Sequence, residues 1–191
     1  DPVSQTVCEG SAVTFTVNAG ATTSPTYQWR KGGVNILGET GSSYTIATTV
    51  AADAGSYDVV VSSGAGCGAP FTSAAATLTI DTSPVITVHP VTQTICEGGP
   101  VTFTVTATGT GLTYQWRKNG INILGATASS YNIAATVPGD AGIYTVQVSG
   151  TCSPPATSNG ATLTIQETPE VTVDPVSQTV CEGSAVTFTV N

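Results

Sequence analysis

The feature that most constrains this chain is its self-similarity. Residues 174–191 repeat residues 1–18 without one change (DPVSQTVCEGSAVTFTVN), and a diverged copy, HPVTQTICEGGPVTFTV, begins at His89. The copies start at Asp1, His89 and Asp174, so the larger period, from Asp1 to Asp174, is 173 residues. Repeats of this length are the signature of tandem arrays of small domains, which serve reach, stiffness or multivalency. The spacing predicts two domains and the start of a third: 1–83, lacking a first strand, a complete unit at 84–168, and opening strands at 169–191. The segment 169–191 alone cannot bury its apolar face. It is expected to pair with a neighbouring chain, to continue into further sequence, or to stay disordered.

Local patterning is that of β-structure. VTFTV at 13–17 and 101–105, and TLTI at 77–80 and 162–165, alternate strictly between apolar and polar residues, which places one face of each strand in a core. Strands recur about every ten residues between Gly, Pro and Ser clusters, the pattern of an all-β sandwich. KGGV at 31–34 and KNGI at 118–121 are tight-turn signals, Asn119-Gly120 being suited to a type I′ hairpin.

Composition narrows the function. Charged residues make up 8% of the chain, the net charge is −8, and the only basic side chains are Arg30, Lys31, Arg117 and Lys118. A chain so poor in cations is unsuited to nucleic acid or to anionic membrane surfaces. It also has no apolar run of about twenty residues, so no membrane-spanning helix is expected. Five cysteines at recurring places point to disulfides and to an oxidising, extracellular location.

The same residues offer no catalytic constellation. The one histidine, His89, occupies the slot that Asp1 and Asp174 fill in the other copies, which marks it as a linker residue rather than a general base. No Cys-x-x-Cys or histidine pair suggests zinc. Calcium between domains would draw on Asp81, Glu167, Glu170 or Asp174, but no dense ligand run is present. SGAG at 63–66 lacks the following helix and lysine of a phosphate loop. The chain is therefore expected to be no enzyme and to need no cofactor.

Each unit carries YQWRK (27–31, 114–118), followed by DAGSY (53–57) or DAGIY (140–144). This Trp and Asp-x-Gly-x-Tyr corner resemble the immunoglobulin superfamily of intermediate-set type, over nearly the whole chain. The resemblance implies tandem immunoglobulin-like β-sandwiches in which Trp29 and Trp116 sit in the cores. Asp53, Gly55 and Tyr57, with Asp140, Gly142 and Tyr144, form the corner before strand F, each tyrosine hydrogen-bonding back to the preceding turn. Where that family places its B to F disulfide, this chain has Val17 with Val59 and Val105 with Val146. The tryptophans are expected to pack on aliphatic carbon there.

The relocated cysteines, in Cys-Glu-Gly and in a Gly- or Pro-rich loop before the last strand, resemble repeats of giant Bacteroidota surface proteins. Those include gliding adhesins exported by the type IX system. The resemblance implies a bacterial cell-surface filament or stalk.

Two cysteine pairings remain open. Sequence order suggests Cys8 with Cys67 and Cys96 with Cys152, leaving Cys181 to a partner outside residues 1–191. In an immunoglobulin sandwich, however, the turn after Cys8 and the F to G loop holding Cys67 lie at opposite ends, roughly 23 Å apart by strand length. A head-to-tail array brings Cys8 towards Cys152 of the next domain. Cys67, Cys96 and Cys181 would then pair with domains outside residues 1–191.

Three functions follow. The first is a rigid stalk whose partners are neighbouring repeats, other copies in a filament, and a surface glycan or protein at a distal tip. The second is a glycan- or protein-binding module, and the third a filament built by strand exchange through residues 171–190. Most aromatics recur in register and are fold positions. Phe71 alone has no counterpart and is expected to pack at a domain junction. The antibody-like loops, 19–25 with 63–70 and 106–111 with 149–158, are expected to face a preceding domain.

Overall fold

A computed structural model of the chain describes residues 1–64 and 68–190. The first domain contains β1 (Gln5–Cys8), β2 (Val13–Thr16), β3 (Pro25–Lys31), β4 (Val34–Asn35), β5 (Ser43–Ile46), β6 (Gly55–Ser63), β7 (Phe71–Thr72) and β8 (Ala76–Asp81). The second contains β9 (Val85–Val88), β10 (Gln93–Cys96), β11 (Val101–Thr104), β12 (Thr106–Thr108), β13 (Thr113–Lys118), β14 (Ile121–Asn122), β15 (Ser130–Ile133), β16 (Gly142–Ser149), β17 (Ala156–Thr157) and β18 (Ala161–Gln166). The fold is all-β: among the described residues the only helical pieces are two 3-10 turns, Ala51–Asp53 and Pro138–Asp140.

In each domain one sheet runs in the order β1-β8-β6-β3-β4 or β10-β18-β16-β13-β14, and the opposing pair is β2-β5 or β11-β15. Alternation sets the facing. In β2, Val13 and Phe15 are buried while Thr14 and Thr16 are exposed, and β11 repeats the pattern with Val101 and Phe103. The β3 to β4 and β13 to β14 hairpins close through two residues with positive φ, Gly32 and Gly33 in one and Asn119 and Gly120 in the other. That is the backbone a type I′ turn demands, and its twist matches the strands it joins.

Trp29 and Trp116 are fully buried at the centre of the two cores. Their indole N–H groups donate to the carbonyls of Gly41 at 3.0 Å and Ala128 at 2.9 Å, so neither buried donor is orphaned. Val59 lies opposite Trp29 and Val146 opposite Trp116 across the paired strands. Val59 and Val146 are completely buried, Val17 and Val105 join the same clusters, and aromatic rings complete the surroundings of the indoles. Trp29 is 6.2 Å from both Phe15 and Tyr44, and Phe15 stacks on Tyr57 at 5.0 Å. Phe103, Trp116, Tyr131 and Tyr144 repeat this box, with Phe103 and Tyr144 stacked at 4.7 Å. With no disulfide between the sheets, four interlocked aromatic side chains fill the centre of the sandwich.

The corner residues act as backbone locks. Tyr57 donates its hydroxyl to the Asp53 carbonyl at 2.6 Å, and Tyr144 donates to Asp140 at 2.8 Å. The Asp53 and Asp140 carboxylates accept the N–H of Val50 and Val137, closing the 3-10 turn from the other side. Gly55 and Gly142 adopt φ of 145° and 149° and let the chain turn from there into β6 and β16. Asp53 and Asp140 are thus occupied by structure.

Residues 167–190 form no strand, and their apolar side chains, from Val171 to Val190, are exposed. Among the described residues no helix is long and apolar enough to cross a membrane.

Candidate functional site at the domain junction

β1 pairs with β8 in parallel, with Cys8 opposite Asp81. Two parallel strands end at the same end of the sheet, so Cys8 is carried to where the last strand of the first domain leaves for the second. The turn after Cys8 is tied down there: Glu9 N–H donates to the Asp81 carbonyl at 2.8 Å, and Gly10 N–H to the Thr49 carbonyl at 2.7 Å. Thr49 is fully buried and its hydroxyl bridges the carbonyls of Ser11 and Cys8. Thr136 makes the same pair of contacts to Gly99 and Cys96. These threonines escaped sequence reasoning, although TT and AT before Val50 and Val137 recur in register and were a readable signal.

From the other side, the linker is gripped by the loops of the second domain. Thr82 and Thr110 exchange hydrogen bonds, Thr110 N–H to the Thr82 carbonyl and Thr82 N–H to the Thr110 hydroxyl, both at 3.1 Å. Ser83 donates its hydroxyl to the Ser153 carbonyl at 2.9 Å, and Thr151 N–H donates to the Thr110 carbonyl. Gly150 makes this close approach possible, since a Cβ there would lie 2.8 Å from the Thr110 carbonyl oxygen and 3.0 Å from the Pro84 ring.

Between the two halves the structure joins Cys8 to Cys152 in a disulfide, with Cα atoms 5.8 Å apart and 144 residues between them in sequence. Cys152 is buried. Of the two pairings open in the sequence, this is the one across the junction. Cys96 sits opposite Gln166 at the far end of the second domain, in the position equivalent to Cys8, and is free and exposed. Cys181, in the tail, is also free and exposed. Cys67 lies outside the described residues.

His89 accepts a hydrogen bond at Nδ1 from Asn159 N–H, as the Asp1 carboxylate does from Ala74 N–H, a linker role in both domains. Phe71 is not at the junction between these domains: it lies 69% exposed on β7, at the opposite end of the first domain. Of the loop expected at 106–111, residues 106–108 form β12 instead, because β9 pairs with them. Among the described residues no three His, Cys, Asp or Glu side chains group as metal ligands, Asp81, Glu167, Glu170 and Asp174 included. A cleft of about 540 Å³ beside the junction is lined by Glu9, Thr49, Val50, Thr82 and Val85 among others, with Glu9 as its one ionisable side chain. The strongly perturbed groups are Tyr57 and Tyr144, pushed up to about 12, first by burial and then by the neighbouring phenols and corner aspartates. Both are locked in the cores.

Two sandwiches of this topology, each with the buried tryptophan and tyrosine corner, define a tandem immunoglobulin-type protein. The sequence profile of the family "Immunoglobulin domain" matches residues 1–63 and 83–150, and the chain belongs to that family. Among curated proteins, it is 32% identical over 113 residues to endoglucanase C of Cellulomonas fimi, covering 56% of this chain and 10% of the enzyme. It is 48% identical over 59 residues to the decoration protein of Escherichia phage T5, covering 30% of this chain and 36% of that protein. The chain therefore spans well under half of either relative. Among solved structures, the titin I-band fragment I67-I69 superposes with a TM-score of 0.73 at 19% identity, covering 91% of this chain and 66% of that one. The N-terminal four Ig domains of Dscam1 isoform 6.9 superpose at 0.59 and 23% identity, over 86% of this chain and 43% of theirs. These likenesses speak to the fold. The module type is one that occurs within a bacterial enzyme and a phage decoration protein.

Proposed function

We propose that this chain is a non-enzymatic segment of an extracellular stalk, which holds a distal binding tip of a bacterial surface adhesin away from the cell. The observation that carries the reading is the Cys8–Cys152 disulfide across the junction. A short linker held only by hydrogen bonds leaves two domains free to hinge. A covalent bond at a second point beside the linker removes most of that freedom and makes two beads a rod. The equivalent place of Cys96 at the far end of the second domain supports the same joint being repeated along an array. A disulfide of this kind suits an oxidising compartment outside the cytoplasm. The partners in this reading are neighbouring repeats and, at the tip, a surface glycan or protein, in attachment or in gliding.

The test is the distribution of distances between spin labels placed one on each domain, before and after reduction. A narrow distribution that broadens on reduction is expected; a distribution equally broad in both states refutes the rod. A second reading, a glycan-binding module, is favoured by the match to an endoglucanase. Saturable retention of the two domains on cellulose or another polysaccharide would replace the stalk reading with that one.

A further inference from the structure

A disulfide changes which residues carry load, because tension follows the shortest covalent path between the points pulled. Without the bond, tension entering ahead of β1 and leaving behind β18 passes along every residue of both domains. With Cys8 joined to Cys152 it runs through β1, crosses the bond, and continues through residues 153–160 and β18. Residues 9–151 become a closed loop whose neck is 5.8 Å wide between Cα atoms.

Most of what holds the two sandwiches together lies inside that loop. It contains both aromatic boxes, from Phe15 to Tyr144, both tyrosine corners, and Thr49 and Thr136 beneath their turns. The linker, with the hydrogen bonds between Thr82 and Thr110, is inside it too. The place of the bond is what spares the linker. Pairing in sequence order, Cys8 with Cys67 and Cys96 with Cys152, would close two separate loops and leave residues 68–95 between them on the load path. One loop across the junction is possible because β1 and β8 run parallel and set Cys8 beside the exit from the first domain. On the path itself, β1 has four residues and β18 six, and as strands both are already extended.

We propose that the Cys8–Cys152 bond is a tensile bypass, which carries load past both cores and the linker so that neither domain can be drawn out while it is intact. A sandwich held by weak contacts yields under steady pull at its rate of unfolding, and the chain then lengthens by the residues released. The bond separates residues 144 apart, so the loop hides up to about 500 Å of extended chain. Straightening residues 153–160 completely adds no more than about 30 Å. A domain that opens inside the loop stays tethered at its neck and refolds in place. The inference rests on the stalk reading for the source of the load, and on the bond alone for its path.

The experiment pulls single molecules of the 191-residue chain in optical tweezers, by handles at its two ends, oxidised and after reduction with dithiothreitol. Non-reducing peptide mapping of the same oxidised sample verifies the bond. Residues 167–190 form no strand and lengthen smoothly, so abrupt steps report the domains. The oxidised chain is expected to show no step above about 50 Å, and the reduced chain two steps that together release on the order of 400 Å. C152S, which cannot form the bond in any buffer, should release at least one whole domain, more than about 200 Å. Whole-domain steps from the oxidised chain, a C152S chain that lengthens no further than wild type, or peptide maps without a Cys8–Cys152 crosslink would each overturn the proposal. A joint that bends freely with the bond intact would refute the rod and leave this limit on length standing; whole-domain steps would refute the limit and leave the resting stiffness as the spin labels find it.

Discussion

Tyr57 and Tyr144 show how one side chain ties the core to its rim. Each ring stacks in the aromatic box while its hydroxyl donates to an exposed turn, and burial raises each phenol to about 12. An unfolded tyrosine ionises near 10. Above about pH 10 the unfolded chain therefore loses protons that the folded chain retains, and stability falls as pH climbs towards 12; below pH 10 this contribution is complete. The expected loss is on the order of 2 kcal/mol per domain, read as a fall in the urea midpoint between pH 9 and pH 11.5. Tyr57→Phe should flatten that pH dependence in the first domain and cost about 1 kcal/mol at neutral pH through the lost hydrogen bond. Thr49 is the second residue to probe. Thr49→Val keeps the volume but removes the hydroxyl shared by the carbonyls of Ser11 and Cys8, each of which still accepts a backbone N–H, and should cost about 1 kcal/mol in thermal or urea unfolding.

At the scale of elements, the parallel pairing of β1 with β8 decides where the first cysteine goes. Alternation in VTFT and the type I′ hairpins were legible because both are local: period two and a two-residue turn need no knowledge of partners. Pairing direction is not local, and neither is the contact of Gly150 with Thr110 and Pro84. Gly150→Ala tests that contact. It places a carbon in the grip on the linker at a position whose backbone does not itself demand glycine, so both domains should stay folded while the junction loosens. Amide exchange at Thr82 and Thr110 should rise at least several-fold with the exchange of the two cores unchanged.

For the molecule as a whole, the disulfide joins residues 144 apart and crosses from one domain to the other. Reduction, or Cys152→Ser, should leave both sandwiches folded, since neither aromatic core contains a sulfur bridge, and should raise the range of interdomain angles. Small-angle scattering would register this as a shorter and broader distribution of maximum dimensions. In the chain-entropy account, closing so long a loop stabilises the folded state by up to about 5 kcal/mol, so the reduced protein should also unfold at lower denaturant.

The sequence by itself determined the module type and its number of copies, the alternation that faces Phe15 and Phe103 inward, the hairpin turns, and the tyrosine corners. Each of these follows from short-range pattern and from repetition. It narrowed the cysteines to two pairings without choosing, because spacing says how much chain separates two sulfurs and nothing about which strand ends share a pole of a sandwich. Only the tertiary structure decided that β1 and β8 run the same way, that a box of rings joins the valines around the tryptophans, and that Thr49 holds the turn at Cys8. Those depend on contacts between residues far apart in the chain, where direction and packing are settled by burying both faces at once.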